Sequence, residues 1–396
     1  MHKIEQLLQT LAPKGVEFKK LGEVLEYDQP NQYCIASKEF DKSYPTPVLT
    51  AGKTFILGYT NEKDNIYQAS KSSPVIIFDD FTTATQWVDF PFKVKSSAMK
   101  ILLPKDPTIN IRFIFFYMQI IPYNISGEHT RQWISRYSLI TIPIPPLEVQ
   151  QEIVKILDAF TELNTELNTE LNARKKQYQY YQNMLLDFDG IHSNHKDAKI
   201  KPYPKRLKTL LQTLAPKGVE FRKLGEVCDF QKGKSITKKA VTLGKVPVIS
   251  GGRQPAYYHN EANRSGETIA ISSSGVYAGY VSYWDIPVFL ADSFSVSPKQ
   301  KTLMPKYLFH YLTTQQDAIH ATKSTGGIPH VYSKDLQNFL IPIPPLEIQQ
   351  EIVKILDQFS VLTTDLLAGI PAEIKARKKQ YEYYREKLLT FKPLKA

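Results

Sequence analysis

Residues Ile142–Asp158 read IPIPPLEVQQEIVKILD, and residues Ile341–Asp357 read IPIPPLEIQQEIVKILD. The two stretches differ at a single position, which is Val149 in the first and Ile348 in the second. Because proline lacks a backbone N–H and clashes with the preceding helical turn, the IPIPP portion cannot lie inside a helix. We therefore expect an extended segment that ends a globular domain, followed by a helix that begins at Leu147 in the first copy.

Two further blocks also occur twice. Leu7–Val24 matches Leu210–Val227 apart from one lysine-to-arginine difference, and Ala173–Phe188 corresponds to Ala376–Phe391. The residues between the blocks diverge sharply between the two halves. An internal repeat of this kind predicts one fold used twice. Nearly identical flanks around different middles are expected of a scaffold that carries two different recognition surfaces.

The divergent middles are predicted to be mixed α/β. Short runs rich in β-branched and aromatic residues, such as SPVIIFDDF, GETIAISSS and YVSYWDIPVFLA, are separated by Gly, Pro, Ser and Asn, as in strands joined by turns. The stretch KYLFHYLTTQQDAI, from Lys306, predicts a helix.

After each IPIPP, apolar residues recur in steps of mostly three or four and form a stripe along one face of a helix. A helix of about 40 residues would be roughly 60 Å long. Two such stripes in one chain can bury each other, so an antiparallel helix pair is predicted. In the second copy, Gly369-Ile370-Pro371 is expected to kink or restart the helix. The stripe positions are Ile153, Leu157, Phe160, Leu163, Leu167, Leu171, Tyr178, Tyr181 and Leu185, then Ile352, Leu356, Phe359, Leu362, Leu366, Ile370, Tyr381, Tyr384 and Leu388.

The predicted fold class is therefore α+β. Two mixed α/β domains are joined by two long helices in an antiparallel coiled coil, with a pseudo-twofold internal repeat. The predicted bounds are 1–146 for the first domain, 147–190 for a central helical spacer, 191–345 for a linker and the second domain, and 346–396 for a C-terminal helical spacer.

The first helix contains TELNTELNTELN, three identical tetrapeptides from Thr161 to Asn172. Four helical residues add ~6 Å and ~40° beyond a full turn, and one DNA base pair adds ~3.4 Å and roughly 35°. If the helices separate two DNA-reading domains, one TELN unit would change their distance by about one or two base pairs. The alternative is a leucine-striped helix with polar filler, because leucines four residues apart suit any partner helix.

The composition of the 396 residues is that of a globular protein, with 26 prolines, 12% aromatic residues and a formal net charge of +11. A basic chain suits a polyanion such as nucleic acid, although a merely basic soluble protein would have the same balance. No apolar run reaches the ~18 residues that would span a bilayer. The two cysteines lack metal-ligand spacing, so we expect a reduced, cytoplasmic protein.

No motif for chemistry on DNA is present, so no catalytic residue and no metal site is predicted. The Pro-Pro pairs lack the Asn or Asp and the aromatic residue with which an adenine methyltransferase holds its flipped base. The nearest phosphate-loop candidate, Cys228–Ser235, has cysteine in place of the first glycine. His192–His195 reads as an exposed spacer without further ligands. Asp79-Asp80 could bind a metal, but its counterpart Ser273-Ser274 has no carboxylates.

The duplicated IPIPPLE blocks, the ARKKQY blocks and the tetrapeptide repeats resemble the specificity subunit of type I restriction-modification systems, over essentially the whole chain. The resemblance implies two target-recognition domains, each reading half of a split site in double-stranded DNA, and a coiled coil that measures the spacer. It further implies two modification subunits, which supply S-adenosylmethionine and methylate adenine, and two restriction subunits that use ATP and Mg²⁺. The chain itself would be non-catalytic and hold no cofactor.

Base readout requires forked or amide side chains, supported by phosphate contacts that position the protein. In the first domain the loop Gly127–Trp133 combines a hydroxyl, a guanidinium and an amide, and in the second Ser324–Tyr332 matches it. For each residue the alternative is a solvated surface side chain. The predicted DNA-binding residues are Lys53, Lys71, Lys93, Thr130, Arg131, Gln132, Lys232, Lys234, Arg253, Gln254, Ser273, Tyr277, Lys323, Ser324, Thr325 and His330.

Two other classes of protein remain open at this point. A stand-alone DNA-binding regulator with two reading domains would need no enzyme partner, and copurification of a modification subunit would distinguish it from a specificity subunit. A coiled-coil scaffold is the other alternative, but it gives no reason for two divergent globular domains.

Overall fold

A computed structural model describes residues 2–37, 39–50, 54–122, 130–188, 202–299, 301–324, 327–364 and 369–394. The chain divides into two compact units. The first unit consists of Met1–Leu167 with Ile374–Ala396, and the second of Asn168–Glu373. Among the described helices, none is both long enough and apolar enough to cross a membrane.

The two halves contain the same succession of elements, except that the second half adds α8 and α9 and ends in two helices where the first half has one. The first half comprises α1 (His2–Leu11), β1 (Glu17–Lys20), α2 (Leu21–Val24), β2 (Leu25–Asp28), β3 (Thr46–Leu49), β4 (Ile56–Thr60), β5 (Val75–Asp79), β6 (Thr85–Val88), β7 (Lys93–Val94), β8 (Met99–Pro104), α3 (Ile111–Met118), β9 (Thr141–Ile144) and α4 (Leu147–Leu186). The second half comprises α5 (Lys205–Leu214), β10 (Glu220–Lys223), α6 (Leu224–Val227), β11 (Cys228–Lys232), β12 (Leu243–Ile249), β13 (Tyr257–His259), β14 (Thr268–Ser272), β15 (Val281–Trp284), β16 (Phe289–Leu290), β17 (Ser293–Pro298), α7 (Pro305–Thr314), α8 (Gln316–Ala321), α9 (Ser333–Leu336), β18 (Leu340–Ile343), α10 (Leu346–Thr364) and α11 (Gly369–Leu388).

Each unit has one four-stranded antiparallel sheet, in the order β2-β8-β5-β6 in the first unit and β11-β17-β14-β15 in the second. The strand registers correspond, because Ile76 pairs with Leu102 and Ile269 pairs with Val296. A three-stranded sheet accompanies it, in the order β4-β3-β7 or β13-β12-β16. One fold is used twice, as the repeat predicts.

A two-stranded ladder joins the repeated blocks within each unit. In the first unit β1 pairs with β9, with Glu17 opposite Ile144. In the second unit β10 pairs with β18, with Glu220 opposite Ile343. The IPIPP segment is extended, as predicted, and it closes its domain by pairing with the strand that opened it. In each unit the LLQTLAPKG block and the IPIPP block thus meet in one strand pair.

The core of each unit lies between the four-stranded sheet, the helix after it and the start of a long helix. In the first unit Ile76, Phe113 and Ile153 are fully buried together. In the second unit Tyr307 and Ile352 take the corresponding places. The stripe on the long helices therefore packs against its own globular domain as well as against the other long helix.

The long helices pair as the sequence predicts. In the first unit, the ring of Phe160 on α4 stacks on that of Tyr384 on α11, with centroids 5.6 Å apart. In the second unit, Tyr181 on α4 stacks on Phe359 of α10 at 5.1 Å. The stripe is not complete, because Leu362 in the last turn of α10 is 43% exposed.

The predicted restart at Gly369 is confirmed, since α11 begins there. The glycine has φ +70°, and a Cβ at this position would lie 2.5 Å from the carbonyl oxygen of Val361. A residue with a side chain would be strained in this conformation and would clash. A glycine is therefore required where the second long helix starts again.

A buried glutamine fixes the start of each long helix. Gln150 is 1% exposed; its Oε1 accepts from the backbone N–H of Asn110 at 2.8 Å, and its Nε2 donates to the carbonyl of Pro145 at 2.7 Å. Gln349 makes the corresponding bonds, with Met304 and Pro344. These bonds attach the helix start to the loop before α3 or α7.

We expect Gln150→Ala to destabilise the first unit by about 2–4 kcal/mol, because at least two buried backbone groups lose their partners at about 1–3 kcal/mol each. Chemical unfolding followed by circular dichroism measures this loss. The neighbouring Gln151 is exposed, so Gln151→Ala is the matched control. Equal stability of the two variants would show that the buried bonds contribute nothing.

Candidate nucleic-acid interface

One end of the four-stranded sheet in the first unit collects the loop that the sequence singles out. Strand β5 ends at Asp79, beside the start of β8, because the two strands are antiparallel. The backbone N–H of Asp80 donates to the carbonyl of Ala98 at 3.3 Å, and the N–H of Gln132 donates to the carbonyl of Asp80 at 2.8 Å. Residues 79–84, 96–98 and 130–133 thus meet, and we name them the first edge.

The carboxylate of Asp80 holds the loop at the first edge. Its Oδ1 accepts from the N–H of Gln132 at 3.1 Å and from that of Trp133 at 2.8 Å, and the side chain is 1% exposed. Trp133 is 2% exposed and meets the ring of Phe78 edge-on at 5.1 Å. The loop is therefore attached to the core on one side, while Thr130 and Arg131 before it remain exposed.

A buried lysine balances the charge of Asp80. The Nζ of Lys100 lies 3.6 Å from Oδ2 of Asp80 and 4.8 Å from the centre of the Tyr27 ring, and it also donates to Oε1 of Gln29. Burial lowers the pKa of Lys100, the Asp80 carboxylate opposes this shift, and the charge of Arg131 adds to it. A buried charge pair of this kind is costly to break on one side alone.

The possible metal site at Asp79-Asp80 has a different role in the structure. The Asp79 carboxylate accepts from the backbone N–H groups of Phe81 and Thr82 and from the Thr82 hydroxyl, and so shapes the turn after β5. Within the described ranges, no group of three or more His, Cys, Asp and Glu side chains is placed to hold a metal ion.

The predicted residues of the first domain do not all reach the first edge. Thr130 and Arg131 lie there and are exposed. Gln132 lies there too, but its side chain is 0% exposed and its Nε2 donates to the carbonyl of Thr130 at 2.7 Å. Lys93 is 3% exposed and forms an ion pair with Glu62 at 2.7 Å. Burial withholds both Gln132 and Lys93 from a ligand at the surface.

Two more lysines of that set are placed elsewhere. Lys71 precedes β5, whereas the first edge follows it, so this exposed lysine lies at the opposite end of the strand. Lys53 and Gly127–His129 lie outside the described residues, as do Thr325 in the second domain and the spacer His192–His195.

The second unit has a corresponding edge. The N–H of Val331 donates to the carbonyl of Ser273 at 2.9 Å, as Gln132 does to Asp80 in the first unit. Ser273 itself donates its N–H to the carbonyl of Asp292 at 3.1 Å. We name residues 232–234, 251–254, 273–277, 323–324 and 327–332 the second edge.

The second edge lacks the buried ion pair of the first. Lys100 is opposite Phe78 in β5, and Phe294 is opposite Ile271 in β14, so Phe294 occupies the position of Lys100. Phe294 is 3% exposed and belongs to the apolar core. The strand register shifts the predicted counterpart of Asp79-Asp80 by one residue, so Ser273 and not Ser274 stands where Asp80 does. The two units therefore support their corresponding loops by different means.

Lys232 and Lys234 lie at the second edge because of the glycine between them. The N–H of Gly233 donates to the carbonyl of Ser293 at 2.8 Å, and that of Lys234 to the carbonyl of Leu290 at 2.9 Å. A Cβ on Gly233 would lie 2.4 Å from a backbone oxygen of Ala291. Only glycine allows this close approach, which leaves both lysine side chains exposed.

The other predicted residues of the second domain also gather at this edge. The guanidinium of Arg253 lies over the rings of Tyr277 and Tyr280, at 5.0 and 5.6 Å from their centres. Gln254 next to Arg253 is exposed, and Lys323 and Ser324 are half-buried. The N–H of Ser324 donates to the carbonyl of His330, whose own N–H donates to the Ser324 hydroxyl, both at 3.0 Å.

Sequence reasoning missed the apolar side chains at the second edge. Val276 is 82% exposed, Ile328 is 66% exposed, and Tyr332 is 48% exposed and stacked on His330 at 6.0 Å. The sequence was searched for polar groups at base edges, whereas apolar side chains can contact the thymine methyl group in the major groove. An apolar residue in a Gly- and Ser-rich loop, such as Val276 in SSSGVYAG, is a signal that could have found them.

Comparisons with known proteins agree with this architecture. A specificity subunit of the type I restriction enzyme EcoR124I/EcoR124II of Escherichia coli is 38% identical, over 99% of this chain and 98% of that protein. A Haemophilus influenzae protein described as a type I restriction enzyme specificity subunit is 31% identical, over 95% of this chain and 96% of that protein.

Solved structures show the same fold. The S subunit of a type I restriction-modification system from M. genitalium aligns with a TM-score of 0.63 at 18% identity, covering 94% of this chain and 95% of that one. The family model described as the type I restriction modification DNA specificity domain matches twice, over residues 13–175 and 216–376. With most of its length matched by this model, the chain belongs to the family of type I restriction-modification DNA specificity subunits.

Proposed function

We propose that each edge reads one half of a bipartite site in double-stranded DNA, and that the paired long helices set the unspecified spacer between the halves. The observation that carries this proposal is the contrast between two edges built on one sheet register. The first edge presents Thr130 and Arg131, whereas the second presents Arg253, Tyr277 and His330. Corresponding scaffolds with different exposed side chains are expected to read two different half-sites.

The exposed chemistry suits DNA. Arginine can donate two hydrogen bonds to guanine O6 and N7, and apolar side chains can contact thymine. Lys232 and Lys234, which carry charge without a fork, are expected to contact phosphates and to position the second edge without reading bases. The net charge of +11 would favour association with the duplex.

The repeated blocks are proposed to dock the partners. Nearly identical surfaces presented twice on one chain would recruit two copies of one subunit around a pseudo-twofold axis. We expect these to be two modification subunits, which would bind S-adenosylmethionine and methylate adenine in the cytoplasm. Two restriction subunits, where the host encodes them, would bring ATP and Mg²⁺.

A specificity subunit is the non-catalytic member of its complex, so the test of its function needs the partners. Methylome sequencing of a host that carries this chain with its modification subunit should show one bipartite, non-palindromic motif. Copurification should yield two modification subunits for each copy of this chain. A chain that purifies alone and binds DNA tightly without them would instead support the two-headed regulator.

We expect Arg131→Ala to weaken methylation at one half-site and to leave the base preference of the other half unchanged. Loss of one bidentate base contact costs about 1–3 kcal/mol of discrimination, or roughly 5- to 150-fold. Methylome sequencing reads both halves in one experiment. Lys71→Ala is the matched control, because this exposed lysine lies at the other end of β5. Alteration of both half-sites by Arg131→Ala would contradict the assignment.

A further inference from the structure

Asp158, the last residue of the repeated stretch Ile142–Asp158, forms an ion pair with the globular domain of the first unit. Both Nε and Nη2 of Arg112, the second residue of α3, lie 2.8 Å from Oδ1 of Asp158 on α4. The guanidinium also lies 4.4 Å from the centre of the Trp87 ring and 4.8 Å from that of Phe116. Aromatic faces attract a guanidinium and restrict its orientation.

The second unit repeats this arrangement with different residues. The Nζ of Lys306, the second residue of α7, lies 2.7 Å from Oδ2 of Asp357, the last residue of the second copy of the stretch. It also lies 5.6 Å from the centre of the Tyr283 ring. His310 adds a contact from its Nε2 to Oδ1 of Asp357 at 3.1 Å.

The two sets occupy the same positions in the fold. Trp87 is opposite Ile76 in β5, and Tyr283 is opposite Ile269 in β14, whose registers correspond. Each set consists of a cation on the first turn of α3 or α7, an aromatic ring on the sheet and an aspartate on the long helix. We name such a set a helix clamp. A fold that makes the same contact twice with different cations preserves the contact rather than the residue.

Beyond the buried contacts of Gln150 and Ile153, the first helix clamp attaches α4 to the domain at a place where the two are separated by open grooves. Two open grooves, of about 450 and 470 Å³, lie beside the pair, and both are lined by Arg112 and Asp158. One groove runs between the helix and Lys71, and the other runs along α4 towards Glu166. Along these grooves the helix and the domain are not packed together, so the pair bridges a gap.

We infer that the helix clamps fix the angle at which each recognition domain leaves its long helix, and thereby restrict the spacer length that the protein accepts. Arg112 and Asp158 are positioning residues that act through the domain they hold. This inference rests on the proposed function. It adds a second determinant of the spacer. The helix length would set the preferred distance between the half-sites, and the helix clamp would set how far the spacer may depart from that distance.

The test uses the complex of this chain with its modification subunits. The DNA duplexes carry both half-sites, with the native spacer or with a spacer one base pair shorter or longer. In Asp158→Asn, the preference for the native spacer over its neighbours should fall by roughly fivefold, the effect of losing one partly exposed charge pair. Both half-site sequences should be read as before. Arg112→Lys should keep the preference, since lysine serves in the second unit.

Glu170→Gln is the matched control, because it removes an exposed charge pair that lies within the same helix, between Glu170 and Arg174. An unchanged spacer preference in Asp158→Asn would overturn the inference. Loss of the first half-site sequence in that variant would also overturn it, since the pair would then support the domain fold. If the unaltered protein showed no bipartite preference, the proposed function would fail instead, so the two failures are distinguishable.

Discussion

Replacing Asp80 by alanine is expected to abolish reading of the first half-site and to leave the second half-site read as before. The substitution leaves the ammonium of Lys100 buried without its partner, which costs about 3–5 kcal/mol. It also removes the side-chain acceptor of the backbone N–H groups of Gln132 and Trp133, although the Gln132 N–H keeps the carbonyl of residue 80 as a second acceptor. The loop that carries Thr130 and Arg131 loses the carboxylate that fixes its backbone, so these two side chains are no longer held in place for base contacts.

Methylome sequencing measures this result, and the second edge supplies the reciprocal control. Asp292→Ala removes the acceptor of the Ser274 hydroxyl, so any effect should fall on the second half-site. The double variant Asp80→Ser with Lys100→Phe copies the second unit, and it should recover stability because an apolar residue can replace a buried ion pair without loss. Retention of first half-site reading in Asp80→Ala would show that the carboxylate does not hold the loop.

Deleting Thr165–Asn168 is expected to keep both half-sites and to shorten the spacer by about one or two base pairs, since four helical residues remove ~6 Å and ~40°. The leucines remain four residues apart, so the apolar face of α4 is preserved. Leu167 in the deleted unit is 9% exposed, and Leu163 before it is half-buried. After the deletion, Leu171 takes the place that Leu167 leaves, and Leu163 keeps its own.

The control for this deletion is removal of Thr165 and Glu166 alone. Two helical residues turn the following helix by roughly 200°, which moves the apolar face away from its partner. That variant should lose methylation at every spacer. If the four-residue deletion left the spacer unchanged, the helices would not measure the distance.

Local chemistry made several features predictable. The start of α4 at Leu147 and of α11 at Gly369 follows from proline and glycine, whose backbone effects act on immediate neighbours. Strand β5 is predictable for a similar reason, because its β-branched residues favour a strand locally. The stretch YVSYWDIPVFLA forms two strands, β15 and β16, with Pro287 in the turn between them.

Whether a polar side chain is buried is harder to predict from the sequence. Lys93 and Gln132 have side chains suited to DNA, but both are buried because Glu62 and Asp80, which are distant in the chain, pack against them. The Asp79-Asp80 pair is engaged by the turn and the loop around it. Only the packing of remote segments decides whether a polar side chain faces a ligand or supports the fold.

The sequence by itself determined the repeat, the α+β class, the long helices and the family, because each of these depends on residue order and local periodicity. The tertiary structure decided which residues meet at each edge, that Asp80 and Lys100 form a pair replaced by Ser273 and Phe294, and that Asp158 holds its domain. These depend on strand register and on the approach of distant segments, and contacts of that kind exist only once the chain has folded.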